Sequence, residues 1–269
     1  MFGSSRDSMR SCSASIDALR LREGFAALTA DLYAVADLLA GHTQLRSALA
    51  DSGQPVAGRE ALVSEILGSR VSPLAVEVVS TTVSHRWSSD TDLVIALENL
   101  AAQAAFCVAE TNGTLDATEE EVFRFGRAVD SSADLQMVLS DPASPSSVKA
   151  AVVNDLLANR ATIATSTVLG YAMSHLHGRR LDSVIDDLCA LAAQQRERMV
   201  AEVRVAAPLT DTQAQRLQAA LSALASRTVR LNVALDPAVL GGVHVSIGDE
   251  VIDGTIASRL EQARRAVLG

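Results

Sequence analysis

Two hydrophobic periods divide this chain. Up to about residue 198, apolar positions recur at three- and four-residue spacing, the mark of amphipathic helices. Thr118 and Glu121 match a capping box, with Val122, Phe125 and Val129 on one face behind it. Pro145-Ser146-Ser147 starts another helix, for which the spacing predicts Val148, Val152 and Leu156 as inward positions. Residues 163–175 carry almost no charge and predict a central helix, which Gly178 ends. Arg179 opens a further helix bearing Leu181, Val184, Ile185, Leu188 and Leu191. Upstream, a helix starting near Ser89 carries Leu93, Leu97, Leu100 and Ala104 and meets no breaker before Asn112-Gly113.

After Arg198 the period drops to two. Residues 201–206 alternate, with Val203 and Val205 on one face, and Pro208 ends the strand. Thr210 and Gln213 form a second capping box ahead of Leu217, Leu221 and Leu224. Residues 229–235 alternate again. Asp236-Pro237 interrupts them, Gly241-Gly242 lets the chain bend, and Val243, Val245 and Ile247 resume. Gly248-Asp249-Glu250 reads as a tight turn and Val251-Ile252 as extended. Asp253 is placed to cap a last helix with Ile256, Leu260, Ala263 and Val267 inward. The predicted fold class is mainly α with a small C-terminal α/β unit of order β-α-β-β-α.

The helical part repeats itself. Residues 45–102 align without a gap to 135–192 at an offset of 90, with 15 of 58 positions identical. The identities include Asp51/Asp141, Pro55/Pro145, Arg70/Arg160 and His85/His175. Two tandem helical bundles follow from this, and the helix from Ser89 serves both. It forms a shared rod of about 20 residues and roughly 30 Å. The boundaries read as a loose, Ser-rich N-terminal tail over 1–20, a first bundle over 21–103, a second over 104–198 and the α/β domain over 199–269.

Composition narrows the function. Hydrophobic residues make up 48% but aromatics only 3%, so Ala, Leu and Val must do the packing. The net charge is −9 and no basic stripe exists, which argues against nucleic acid and against direct attraction to an anionic membrane. No run of about 18 apolar residues predicts a membrane span. Lys149 is the only lysine. Cys12, Cys107 and Cys189 are far apart and read as free thiols.

The C-terminal stretch carries an ordered set of short motifs: Asp236-Pro237, Leu240-Gly241-Gly242, Ile247-Gly248-Asp249, Val251-Ile252-Asp253-Gly254 and Arg259-Leu260. Together they resemble the signature of the delta subunit of F-type ATP synthases, whose mitochondrial counterpart is the oligomycin-sensitivity-conferring protein. Residues 104–269 resemble the whole short form of that family. Weaker matches run through Asn112-Gly113-Thr114-Leu115, Gly178-Arg179-Arg180-Leu181 and Ala201-Glu202-Val203. Residues 1–103 resemble the extra helical domain of a long bacterial form.

The resemblance implies a non-catalytic stator subunit of the peripheral stalk, without a cofactor. Its helical part is expected to receive N-terminal helices of the alpha subunits, and its C-terminal domain the ends of membrane-anchored b subunits. The implied place is the cytoplasmic side of the cell membrane, held there through the complex and not by insertion. The Ala-rich face of Ala101, Ala104, Ala105, Val108 and Ala109 is the candidate groove for an alpha helix.

Catalytic alternatives find little support. His175-x-His177 lacks a Cys or carboxylate set at ligand spacing and reads as structural. Gly241-Gly242 with Gly248 lacks the ending of a phosphate loop and separates strands. Turn and cap roles account for Asp249 and Asp253, and no nucleophile elbow or zinc-protease motif occurs. The competing classes are a free-standing helical scaffold or adaptor, and an enzyme built on the α/β unit. Copurification with ATP synthase subunits separates the first from the stator reading.

Overall fold

The computed structural model describes residues 4–20, 22–157, 160–197, 200–206, 208–225, 229–236, 239, 243–247 and 250–253. Its contacts divide the chain into residues 1–192 and 193–269. The first unit holds α1 (Ser4–Leu19), a 3-10 turn (Phe25–Ala27), α2 (Leu28–Gly41), α3 (Thr43–Ala50), α4 (Val56–Leu67) and α5 (Pro73–Ser84). Then come α6 (Asp90–Thr111), α7 (Leu115–Asp130), α8 (Ala133–Ser140), α9 (Ser146–Leu157), α10 (Ile163–Ser174) and α11 (Leu181–Glu197), the last running across the division.

The 90-residue offset is written into these bounds. Helices α3, α4 and α5 begin and end at the counterparts of α8, α9 and α10. Asp51 and Asp141, which follow α3 and α8, each accept a backbone N–H two residues on, both at 2.8 Å.

Helix α6 is the centre of the unit. Ser89 caps it by accepting the N–H of Asp92, and Asp90 and Asp92 lie in its first turn, where the dipole favours carboxylates. Over 22 residues it is long and apolar enough to cross a membrane. Yet 78% of its apolar window is buried inside the protein, against α1, α2, α3 and α5 and against α7 and α10. A helix apolar all round is a core helix when other helices cover it.

The helical part departs from its sequence pattern in three places. Residues 4–19 are not a loose tail. Ser5, Ser8, Cys12, Ile16 and Leu19 recur at three- and four-residue spacing on the buried face of α1. Two of those positions are serines, so hydropathy alone misses the face. Each serine is satisfied inside: Ser5 donates to Asp92 at 2.7 Å and Ser8 to the Arg86 carbonyl at 2.7 Å. Ser13 and Gln103 add a pair of bonds, and Arg20 meets Glu110 at 3.0 Å.

Second, α9 turns Lys149 and Val153 inward and leaves Val148 and Leu156 exposed, against the inward positions expected from spacing. The counterpart of Lys149 is Arg59, also buried, whose guanidinium donates to the carbonyls of Val83 and His85 at the C-terminal end of α5. A cation suits a helix C-terminus, and that need overrides the apolar count.

Third, Thr118 and Glu121 do not cap α7. Thr118 sits inside the helix and donates to the Thr114 carbonyl. The Glu121 carboxylate reaches across to the start of α10 instead. It accepts from the N–H of Thr162 at 2.9 Å, from the Thr162 hydroxyl at 3.1 Å and from the Thr165 hydroxyl at 2.6 Å. The first repeat does the same on a smaller scale: Asp31 accepts the N–H of Ser72 at 3.0 Å, at the start of α5.

The second unit holds β1 (Val200–Val205), α12 (Asp211–Ala225), β2 (Arg230–Leu235), β3 (Val243–Ile247) and β4 (Glu250–Asp253). They form a sheet of order β2-β1-β3-β4. β1 and β2 run parallel, with Val203 opposite Val233, and α12 supplies the crossover that a parallel pair needs. β3 is antiparallel to both β1 and β4. Val203, Val205, Leu221, Val229 and Val245 make the core. The Thr210–Gln213 capping box forms in both directions: the Thr210 hydroxyl accepts the Gln213 N–H, and the Gln213 side chain accepts the Thr210 N–H. The predicted last helix, from Ile256 to Val267, lies outside the described residues.

Candidate docking surfaces

The predicted groove on α6 is occupied from within. Ala101, Ala104, Ala105 and Ala109 are at most 5% exposed, and Val108 packs against the core of the first repeat. Their small side chains do allow close approach, and the helices that approach are the chain's own α1, α2, α7 and α10.

The place where the first repeat meets α10 is built differently, from rings and charges. Tyr33 on α2 stacks on Tyr171 of α10 with ring centroids 3.8 Å apart, and Tyr171 stacks on His175 at 4.1 Å. The Tyr171 hydroxyl donates to Asp37 at 2.6 Å, and His175 reaches the same carboxylate at 3.3 Å. Burial raises the Tyr171 phenol first, and the Asp37 bond raises it further. Burial also raises Tyr33, with the Glu98 charge adding to it.

Below the rings, Glu98 of α6 is almost fully buried. It meets His177 at 2.6 Å and Arg179 at 3.0 Å, both from the turn between α10 and α11. His177 and Gly178 in that turn take positive φ, 49° and 74°. Glycine does so freely, and the bond to Glu98 holds the histidine there. His175 therefore serves as a stacking group against Tyr171, and His177 as a hydrogen-bonding partner of Glu98. Sequence reading singled out both but missed their partners, because Asp37 and Glu98 lie more than 70 residues away in the chain.

In the second unit, Asp236 follows β2, and its N–H donates to the Val205 carbonyl at 2.9 Å. Ile252 and Asp253 lie in β4, opposite Val245 and His244. Pro237, Gly241, Gly242, Gly248, Asp249, Gly254, Arg259 and Leu260 lie outside the described residues, as does the cap expected from Asp253. Val233 and Leu235, on one face of β2, are 40% and 60% exposed.

The family model for the ATP synthase delta (OSCP) subunit matches residues 99–267. The chain belongs to the ATP synthase delta family. It is 41% identical over 267 residues to the ATP synthase subunit delta of Streptomyces coelicolor, covering 98% of this chain and 97% of that one. The subunit delta of Frankia alni is 40% identical and covered over its full length. A chain of the Toxoplasma gondii mitochondrial ATP synthase hexamer is 21% identical with a TM-score of 0.34, covering 64% of this chain and 98% of that one, too loose a likeness to define the fold. The delta-family model thus begins inside α6, while the Streptomyces and Frankia relatives share the first repeat as well.

Proposed function

We propose that this delta-family chain is the peripheral-stalk subunit of a proton-driven F-type ATP synthase, tying the catalytic head to the membrane-anchored b subunits so that the head cannot turn with the rotor. The observation that carries this reading is the family match over residues 99–267, together with the near full-length identity to subunits delta. The chain itself is non-catalytic and needs no cofactor. It lies on the cytoplasmic side of the cell membrane, held through its partners.

The helical repeats face the head and its alpha subunits, and the α/β unit takes the b subunits. Exposed Val233 and Leu235 on β2 support the second assignment by offering apolar surface in that unit. The first bundle, which takes in α1 together with residues 21–103, and the second, 104–198, share α6 as a joint. At 1.5 Å per residue it is a beam of about 33 Å. The hydrogen bond from His177 and the ion pair from Arg179 to Glu98, with the Tyr33–Tyr171 stack, brace that joint and suit it to carry load.

Deleting residues 199–269 tests the assignment. The helical unit has its own core and should stay folded. ATPase activity should then cease to sediment with membranes. Sedimentation unchanged by the deletion would mean that b subunits dock elsewhere.

A further inference from the structure

The duplicated helices show one docking contact already made and its counterpart left open. In the first repeat, α2 presents Tyr33 and Asp37, which receive Tyr171 and His175 of α10. Tyr33 is 7% exposed as a result. Ninety residues on, α7 presents Phe123 and Arg127 at the same two positions. Phe123 is 56% exposed, and Arg127 is exposed too, with no carboxylate partner among the described residues.

The opposite end of the pair is finished. The counterpart of Tyr171 is Thr81 on α5, whose hydroxyl is satisfied by the Glu77 carbonyl at 3.0 Å. Stacked repeats need polar outer faces where the stack stops. Here one end is closed by a threonine, and the other keeps a large aromatic ring in water.

Resting on the stalk assignment above, we infer that the α7 face around Phe123 and Arg127 docks an amphipathic helix of another subunit of the assembly. The α2–α10 contact says what that helix carries. It sets a large apolar or aromatic side chain against Phe123, as Tyr171 is set against Tyr33, and one turn further on a group that matches residue 127. Asp37 takes a histidine and a phenol hydroxyl. Arg127 inverts the charge, so the incoming group is a carboxylate. A second copy of this chain fits poorly, because it would bring Thr81 of α5 to Phe123 and His85, just past that helix, to Arg127, and so supplies neither the large apolar side chain nor the carboxylate.

Photocrosslinking tests this in the assembled synthase, purified through a different subunit, with benzoylphenylalanine at position 123 of the full chain. The expected product joins α7 to a helical segment of another subunit with Asp or Glu within one turn of the captured residue. Arg127→Asp should cut the yield about tenfold, the scale on which a like-charge pair disrupts an interface, and Arg127→Lys should keep it. A product within the same chain, a product with a second copy, a yield indifferent to Arg127→Asp, or no product from a chain that copurifies each overturns the inference. Failure of the wild-type chain to copurify overturns the stalk assignment and this inference with it. Should the photoreactive variant drop out of the complex, maleimide labelling of Phe123→Cys decides: labelling about tenfold slower in the synthase than in the free chain supports the docked face, and equal rates refute it.

Discussion

Replacing Glu121 by Ala removes a carboxylate from α7, but the damage should appear in α10. The side chain accepts three hydrogen bonds there, from the Thr162 N–H and from the Thr162 and Thr165 hydroxyls. Loss of a helix N-cap costs ~1 kcal/mol, and hydrogen bonds to a charged group contribute ~1.5–3 kcal/mol. Thr162 is half-buried, so water replaces part of what is lost, and its hydroxyl still caps the Thr165 N–H. A net cost of about 2 kcal/mol follows, or a fall of roughly 4–8 °C in the melting temperature of a unit this size. Asp31→Ala removes the single bond to Ser72 and should cost about half as much. Two units need not melt together, so amide hydrogen exchange is the sharper assay. Protection should fall at residues 165–168 in Glu121→Ala, with α7 unaffected. Faster exchange at residues 115–118 instead would restore the local capping box and refute the cross-helix contact. A larger cost for Asp31→Ala would refute the bond accounting.

Further predictions concern charge, thiols and truncation. The Arg46 hydrogen bond holds the Asp90 carboxyl below its ordinary range, so its contribution is present above the unfolded-state value and is lost as pH falls through the folded one. Arg46→Ala should move the Asp90 titration upward, read by carboxyl NMR. Burial pushes the Cys12 thiol up to about 11 and raises the Cys189 thiol as well, so access decides: half-buried Cys189 should react first with a disulfide reagent at pH 8, and the enclosed Cys12 and Cys107 only on unfolding. A fragment of residues 89–269 keeps the family's short form but bares Leu93, Leu97 and Leu100, which α1 and α2 help to cover. It should fold, bind a hydrophobic dye and self-associate. A monodisperse, dye-free fragment would mean that the first repeat contributes little cover.

Much of this was legible in the chain. The period change near residue 198, the repeat and the uninterrupted helix from Ser89 all follow from spacing, because strand, helix and duplication each leave a regular trace. What spacing could not carry was the choice between partners. Thr118-x-x-Glu121 and Thr210-x-x-Gln213 are the same motif. Only the second closes on itself, since Glu121 finds Thr162 and Thr165 across the bundle. The Ser-rich start of α1 hides its inward face because Ser5 and Ser8 are buried with hydrogen bonds and not by hydropathy. The alanines of α6 showed that close packing occurs there, but small side chains do not reveal whether the neighbour is another subunit or the same chain.

The burial of Lys149 also decides what chemistry can see this subunit. It is the only lysine in 269 residues and is 5% exposed, turned inward as Arg59 is in the first repeat. Amine-reactive crosslinkers therefore find no accessible lysine on the folded chain. A distance map of the assembled synthase built from lysine links would pass over this subunit even where neighbours touch it on every side. Carboxylate-directed or photoreactive reagents would bring it into view.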